Sequence, residues 1–299
     1  MSEAEVKSLF SSGHTACAGC GQSLAARLVL EATGQNTIIA NNTGCLEVFS
    51  TKYPESAWRV PWIHSLFENS AAVASGIEAA LKFQGKKEGI TVICQAGDGG
   101  TADIGMQALS GMWERGHDIL SICYDNEAYE NTGIQRSGLT PLNASTTTSP
   151  PGSQSFGNPR PKKPMPEIAR AHAIPYVATA SVGFPRDLQK KVKKAISIKG
   201  PKYLQIHVPC PLGWAHASNL TYDIAKLAVQ TGLYPLIEYE NGVLTGVYKI
   251  TPKPVEEYLK LQRRFRHVIG NPGELAKIQG VADNNIKMYN LAAEVNQNS

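Results

Sequence analysis

The sequence predicts an α/β fold in which a mostly parallel sheet is flanked by helices, and three observations carry that prediction. Short apolar, β-rich runs recur at 37–41, 90–95, 118–125, 175–180 and 203–208. Segments with helical periodicity, such as 22–33, 102–115 and 184–198, lie between them. Alternating strands and helices close into a parallel sheet, because parallel neighbours need a long crossover. Finally, polar turns such as Gly97-Asp98-Gly99-Gly100 and the loop opening at Asn126 follow strand runs directly, where open parallel sheets bind ligands.

In chain order, Gly13-His14-Thr15-Ala16-Cys17-Ala18-Gly19-Cys20-Gly21 is a tight loop running into a helix from Gln22 to Thr33. Leu24, Ala25, Leu28, Val29 and Ala32 share one face of that helix, and Gly34 is placed to end it. The strand Thr37 to Asn41 leads into Asn42-Thr43-Gly44-Cys45. From Asn69 the small residues Ala71, Ala72, Ala74, Ser75, Gly76, Ala79 and Ala80 predict a helix packed closely on sheet or partner. Ile90 to Gln95 is a strand, and the glycines after it are read as a turn free to adopt positive φ. A helix from Ala102 to Arg115 buries Met106, Leu109, Met112 and Trp113, and Asp118 to Asp125 is the next strand.

Residues 137–166 are rich in Ser, Thr, Pro and Gly. A loop this long in a compact domain is disordered or functional, and its departure beside Asn126 favours an active-site cover or an interface arm. Beyond it come a helix at 165–173, a strand at 175–180, and a helix at 184–198 with Arg186, Lys190, Lys191, Lys193 and Lys194 on its outer face. Such a face is solvated or attracts an acidic partner or a phosphate-bearing ligand. Past Trp214 the sheet pattern stops. A helix at 221–231, a hairpin at 236–250 turning at Asn241-Gly242, a helix at 254–267, two short helical patterns and a polar end at 296–299 form a C-terminal extension. The chain thus divides into an α/β domain, 1–215, and an extension, 216–299, packing on the core or a partner.

Composition bounds the function. With 42% apolar and 18% charged residues the chain fits a soluble globular subunit with large interfaces. A net charge of +4 with no aromatic-interleaved basic stripe excludes nucleic acid. The stretch MSEAEVKSLFSSGH has no signal-peptide pattern, and no run approaches the roughly 18 apolar residues of a membrane span. A cytoplasmic location is expected, where the six cysteines bind metal or stay reduced.

The chemistry-bearing residues follow. Mg²⁺ takes a few protein oxygens and completes its shell with phosphate and water. Asp98 offers a carboxylate, Asn126 an amide oxygen and Ala128 a backbone carbonyl from the following turn. Cys17 and Cys20 form a Cys-x-x-Cys pair at the start of a helix, whose N–H groups favour thiolate charge. By residue type alone, a thiol oxidoreductase, a Cys₄ zinc site and an iron–sulfur cluster all remain open. Cys94 and Cys123 lie inside apolar strands and read as core residues, and His64 as an ordinary hydrogen-bonding histidine.

Gly97-Asp98-Gly99, then 26 residues, then Asn126 resembles the thiamine diphosphate motif. The continuation from Tyr124 to Gly133, YDNEAYENTG, resembles the pyruvate synthase branch of the 2-oxoacid:ferredoxin oxidoreductases, as does the stretch from Trp58 to Asn69. A lone GDG would fit a Gly-rich turn with an Asp cap equally well; the spacing to Asn126 carries the likeness. The resemblance implies a thiamine diphosphate-binding fold with Mg²⁺ held by Asp98, Asn126 and Ala128, and Gly97, Gly99 and Gly100 bringing backbone donors to the diphosphate. It also implies one [4Fe–4S] cluster on Cys17, Cys20, Cys45 and Cys210. Thr43 and Gly44 would set Cys45 between cofactor and cluster, and Asn131 would lie near the substrate.

The same resemblance implies a β subunit that converts pyruvate and coenzyme A to acetyl-CoA and CO₂ with ferredoxin as electron acceptor, or the reverse. The glutamate that activates the cofactor belongs to a pyrimidine-binding domain not found in this sequence. An α subunit would supply it, alongside γ and δ ferredoxin-like subunits, so the chain alone should be inactive. Three rivals remain: the same enzyme class acting on 2-oxoisovalerate or oxalate, a non-redox thiamine decarboxylase, and a zinc-stabilised assembly module without catalysis. The GDGGTAD continuation disfavours 2-oxoglutarate.

Overall fold

Strands buried on both faces read as nearly continuous apolar runs, and here they form the middle of an eight-stranded sheet. The computed structural model describes residues 8–293, so part of the MSEAEVKSLFSSGH stretch and the polar end at 296–299 lie outside it. The strands are β1 (Thr37–Asn41), β2 (Trp62–His64), β3 (Thr91–Gly97), β4 (Leu120–Asp125), the small pair β5 (Pro151–Gly152) and β6 (Ser155–Phe156), β7 (Tyr176–Ser181), β8 (Lys202–His207), β9 (Ile237–Glu240) and β10 (Val243–Val247). The helices are α1 (Gly21–Thr33), α2 (Cys45–Ser50), α3 (Ser70–Phe83), α4 (Asp98–Ala102), α5 (Met106–Glu114), α6 (Met165–Ala171), α7 (Pro185–Ser197), α8 (Thr221–Gln230), α9 (Val255–Leu259) and α10 (Pro272–Met288).

The large sheet runs β10-β9-β7-β8-β4-β3-β1-β2. From β7 to β2 every pairing is parallel, with Ile93 opposite Ile39 and Leu120. Alternate side chains feed opposite layers. Ile39, Ile93 and Tyr124 join a core with Leu28, Val29 and Leu188 of α1 and α7, while Ala40, Cys94 and Cys123 join Met112 and Trp113 of α5. Gly34 ends α1 at φ 78°, its N–H bonded to the Leu30 carbonyl. Cys94 and Cys123 are fully packed, as expected of small core residues.

Several expectations need correction. The sheet does not stop at Trp214: β9 pairs antiparallel with β7, so the hairpin at Asn241-Gly242 extends the main sheet. Both turn residues have positive φ, 48° and 79°, the geometry that suits a two-residue hairpin. The helix expected at 102–115 is shortened to α5, the glycine turn before it is the short helix α4, and the helix expected at 254–267 shrinks to α9 and a 3₁₀ turn, Arg263–Phe265. The two short C-terminal patterns are one helix, α10. Lys191 leaves the solvated face of α7: it is buried and donates to the Thr179 carbonyl (2.9 Å) and Asp187 (2.8 Å). Lys194 pairs with Glu238 and Glu240 at 2.9 Å. In α3 the small residues split, Ala71, Ala74 and Ser75 packing inward while Ala72, Gly76, Ala79 and Ala80 face solvent.

The 137–166 segment is an ordered strap. Ser137, Leu139, Thr140, Ala144 and Asn158 are fully buried, and Asn158 Nδ2 donates to the carbonyls of Thr140 and Arg160, both at 2.8 Å. It packs beneath the carboxyl ends of β3 and β4.

Candidate active site

The carboxyl ends of β3 and β4 bring Asp98, Asn126 and Ala128 together. Asp98 opens α4 and is almost wholly buried, its Oδ2 accepting from the Ser137 hydroxyl. Burial, reinforced by the neighbouring charge of Asp125, pushes its carboxyl well above the ordinary range. One terminal atom of the Asn126 amide lies 2.7 Å from Asp98 Oδ1 and 2.9 Å from the Ala128 carbonyl oxygen. As nitrogen it bridges the two as a donor; turned about, its oxygen completes a triad of oxygens. Adjacent ligands of octahedral Mg²⁺, at 2.0–2.1 Å from the ion, are about 2.9 Å apart, so both spacings from the Asn126 amide suit neighbouring ligands of such a site. A cation there would also neutralise the buried Asp98.

None of the glycines Gly97, Gly99 and Gly100 takes a positive φ, and Gly99 and Gly100 serve close approach instead. Gly97 caps α4 at φ −70°, and Gly99 and Gly100 are helical. A Cβ on Gly99 would meet the Tyr129 ring at 2.2 Å, and one on Gly100 the Asn42 amide at 3.0 Å. Asn42 clamps the cleft from the β1 side, accepting from Ser70 N–H (2.7 Å) and donating to the Gly100 carbonyl (3.3 Å). These residues line a small cleft, partly open to solvent, with Thr43, Gly44, Cys45, Ala128, Tyr129, Glu130 and Asn131 on its other walls. Asn131 sits exposed at the rim. His64, exposed, bonds the Thr43 hydroxyl at 2.8 Å.

Gly44, at φ 157° and ψ −169°, occupies backbone space essentially reserved for glycine and turns the chain from the cleft into α2, which begins at Cys45. Cys17, Cys20, Cys45 and Cys210 are free thiols from three segments of the chain, close enough for Cys45 to feel the charges of Cys17 and Cys20 and for Cys210 to feel those of Cys45 and Cys20. Burial and then the charges of Cys20, Glu130 and Cys17 push Cys45 up to about 12. Burial and then Glu130, Cys45 and Cys20 raise Cys210, which accepts from Gly213 N–H at 3.3 Å. Burial raises Cys20, partly offset by the N–H groups of Ser23 and Gln22 at the start of α1. The Cys-x-x-Cys loop is stitched to the Cys210 loop: a Cβ on Gly21 would lie 2.8 Å from the Pro209 carbonyl oxygen, and Gly21 N–H donates to that oxygen at 3.2 Å. Among the described residues, no three His, Cys, Asp or Glu side chains close on one point as a single ion requires.

Sequence reasoning missed the groups behind this site. Glu130 holds both carboxylate oxygens buried without partners, and burial pushes it up to about 7. Its only sequence signal was its place beside Asn131. Asp125, Glu127, Lys162, Gln205 and Arg264 form a buried polar network: Lys162 donates to Asp125 (2.7 Å) and Glu127 (2.8 Å), Gln205 to Asp125 (2.7 Å), and Arg264 to Glu127 (2.5 Å). Although burial alone would raise Glu127, Lys162 and Arg264 bring it down to about 2. His207, packed at a tilt between Trp214 and Tyr234 with ring centroids 5.4 and 4.6 Å away, is held neutral by burial, down to about 3. These partners lie 35 to 137 residues from Glu127, too far for local pattern to reveal.

Residues 42–206 match the model of the thiamine pyrophosphate enzyme C-terminal TPP binding domain. The chain is 57% identical over 295 residues to pyruvate synthase subunit PorB of Methanosarcina barkeri, covering 97% of this chain and 100% of the relative. It belongs to the PorB family of thiamine pyrophosphate enzyme subunits. The family's reach is wider than one substrate: the chain is 52% identical over 270 residues to ketoisovalerate oxidoreductase subunit VorB of Pyrococcus abyssi, covering 87% and 86% of the two chains. The fold is shared with a 2-oxoglutarate:ferredoxin oxidoreductase from Magnetococcus marinus, at TM-score 0.56 and 24% identity over 66% and 65% of the chains. Within the PorB family frame, the Asp98–Asn126–Ala128 triad falls inside the matched domain, whereas Cys17, Cys20 and Cys210 flank it. Among the described residues no helix is long and apolar enough to cross a membrane.

Proposed function

We propose that the chain is the thiamine diphosphate-binding β subunit of a cytoplasmic pyruvate:ferredoxin oxidoreductase. One observation carries the reading: Asp98, Asn126, Ala128 and Cys45 line one cleft, and the thiols of Cys17, Cys20 and Cys210 lie within electrostatic reach of Cys45. Asp98, Asn126 and Ala128 would hold Mg²⁺, with Gly97, Gly99 and Gly100 leaving room for the diphosphate. Cys17, Cys20, Cys45 and Cys210 would hold a [4Fe–4S] cluster. When bound, thiamine diphosphate supplies carbanion stabilisation and the cluster supplies one-electron transfer.

The protein's own groups orient and insulate. Gly44 sets Cys45 against the cleft wall, Asn131 at the rim offers an amide to the substrate, and Tyr129 and Phe67 shield the cleft floor. Pyruvate and coenzyme A would yield acetyl-CoA and CO₂, two electrons passing to ferredoxin and one proton leaving. An α subunit would contribute the activating glutamate, with γ and δ subunits carrying further clusters. The identity to a ketoisovalerate oxidoreductase subunit supports 2-oxoisovalerate as the second substrate reading.

The test is purification of the complex and assay with coenzyme A, a viologen dye and either pyruvate or 2-oxoisovalerate. Asp98→Ala should lose thiamine diphosphate and keep its iron, whereas Cys45→Ser should lose iron. Normal cofactor retention in Asp98→Ala would refute the Mg²⁺ assignment, and zinc in place of iron would refute the cluster.

A further inference from the structure

Asn126 and Ala128, the two triad members on the β4 side, flank Glu127, whose backbone sits at φ +68°. A left-handed residue with a Cβ persists only where its surroundings over-determine it. Here they do so from remote parts of the chain. The Asn126 carbonyl accepts from Trp214 Nε1 (2.8 Å) and the Glu127 carbonyl from the Thr140 hydroxyl (2.7 Å). The Glu127 carboxylate takes Lys162 on one oxygen and Arg264 on the other. Arg264 is fixed in turn: its Nε donates to Gln262 (2.9 Å), and its guanidinium lies 3.7 Å over the Trp214 ring. With the turn gripped from behind, the Asn126 amide and Ala128 carbonyl are left facing Asp98.

We infer that Arg264, 137 residues beyond Glu127, is a positioning residue for the cation site, acting through the Glu127 carboxylate to hold the left-handed turn that aims Asn126 and Ala128. The inference rests on the Mg²⁺ reading above. It gives the C-terminal extension a role in cofactor binding, since releasing Glu127 lets the Ala128 carbonyl swing away while every proposed ligand stays in the sequence. Arg264 touches neither cation nor substrate, so its effect falls on the binding of the first and not on the chemistry of the second.

The test titrates Mg²⁺ against the assembled complex at saturating thiamine diphosphate, reading cofactor retention by equilibrium dialysis and, separately, the thermal midpoint. Arg264→Met should raise half-saturating Mg²⁺ by about 10–100-fold, the range for losing a group that orients a metal ligand. Arg264→Lys keeps the charge without the planar fork and should fall between that variant and the parent. In Arg264→Met/Glu127→Gln no carboxylate is stranded, so the midpoint should recover while Mg²⁺ affinity does not. An unchanged Mg²⁺ requirement in Arg264→Met, or recovery of both readouts in the double variant, overturns the inference. Should Arg264→Met fail to assemble, Arg264→Lys decides: a shifted requirement supports the role and an unshifted one removes it. Asp98→Asn run alongside separates the two claims, because Mg²⁺-dependent retention surviving there defeats the cation site itself.

Discussion

Replacing Gly99 by alanine should destabilise the protein although it improves the intrinsic helix propensity of α4. The added Cβ would lie 2.2 Å from Cε1 and 2.3 Å from Cζ of Tyr129. Carbon atoms pack at about 3.5–4.0 Å, so the ring must retreat by more than an ångström. It has little freedom to do so. The Tyr129 hydroxyl donates to Asp103 (3.1 Å), and its backbone is tied to Gln135 in both directions (2.9 and 3.2 Å). Overpacking costs about 1–3 kcal/mol, and loss of the bond to Asp103 about 1.5–3 kcal/mol. Alanine returns about 1 kcal/mol over glycine in a helix, leaving a net loss of about 1.5–5 kcal/mol. At about 2.1 cal/mol/K of unfolding entropy per residue, that lowers the midpoint of a chain this size by about 2–8 °C. Gly97→Ala is the control, since its Cβ meets nothing within 4 Å and its φ of −70° suits any residue. Thermal denaturation of both variants without cofactor decides the matter. Equal midpoints for Gly99→Ala and Gly97→Ala would refute the close-approach account of this turn.

Two further predictions concern buried charge. His207 titrates near 3 in the fold against about 6.5 unfolded, so below pH 6.5 the unfolded chain takes up a proton the folded chain refuses. Its contribution is complete above pH 6.5 and fades on acidification, by about 1.5 kcal/mol between pH 6.5 and 5. His207→Phe, seated between Trp214 and Tyr234, should flatten that part of the pH profile of unfolding; an unchanged slope would show that His207 is not the proton acceptor. Lys191→Met should cost about 1–3 kcal/mol by stripping the Thr179 carbonyl and Asp187 of a donor, while exposed Lys193→Ala stays within about 0.5 kcal/mol. Denaturant midpoints that move equally for both would put Lys191 back on the solvated face.

The longer strands and helices were legible because each is a local pattern: β1 is Thr37–Asn41 as read, and Asn241-Gly242 marks the hairpin turn without reference to anything distant, whereas the short β2, β5, β6, α2 and α4 went unread. What escaped was non-local or hidden by composition. No residue of β9 announces that it will pair with β7, so the hairpin read as an appendage. Gly280 and the Asn284-Asn285 pair, poor helix formers, made α10 look like two pieces, although its N-cap Asn271 accepts from Glu274 N–H. Lys191 followed the periodicity of its charged neighbours, but its stem points inward and only its ammonium finds polar company. At the site, Asp98 and Asn126 were readable from strand-end position and spacing. Glu127, Lys162 and Arg264 were not, because a buried ion pair leaves no mark in either local window.

The two ends of the sheet bear on how this chain behaves in a crowded solution. At one end β2 is three residues long, and at the other β10 is bent by an irregularity between Leu244 and Gly246. A short border and a kinked one give a stray strand no straight row of amides to copy. With a net charge of only +4 to keep copies apart, these blunted borders guard the subunit against stacking into fibres while it waits for its partners.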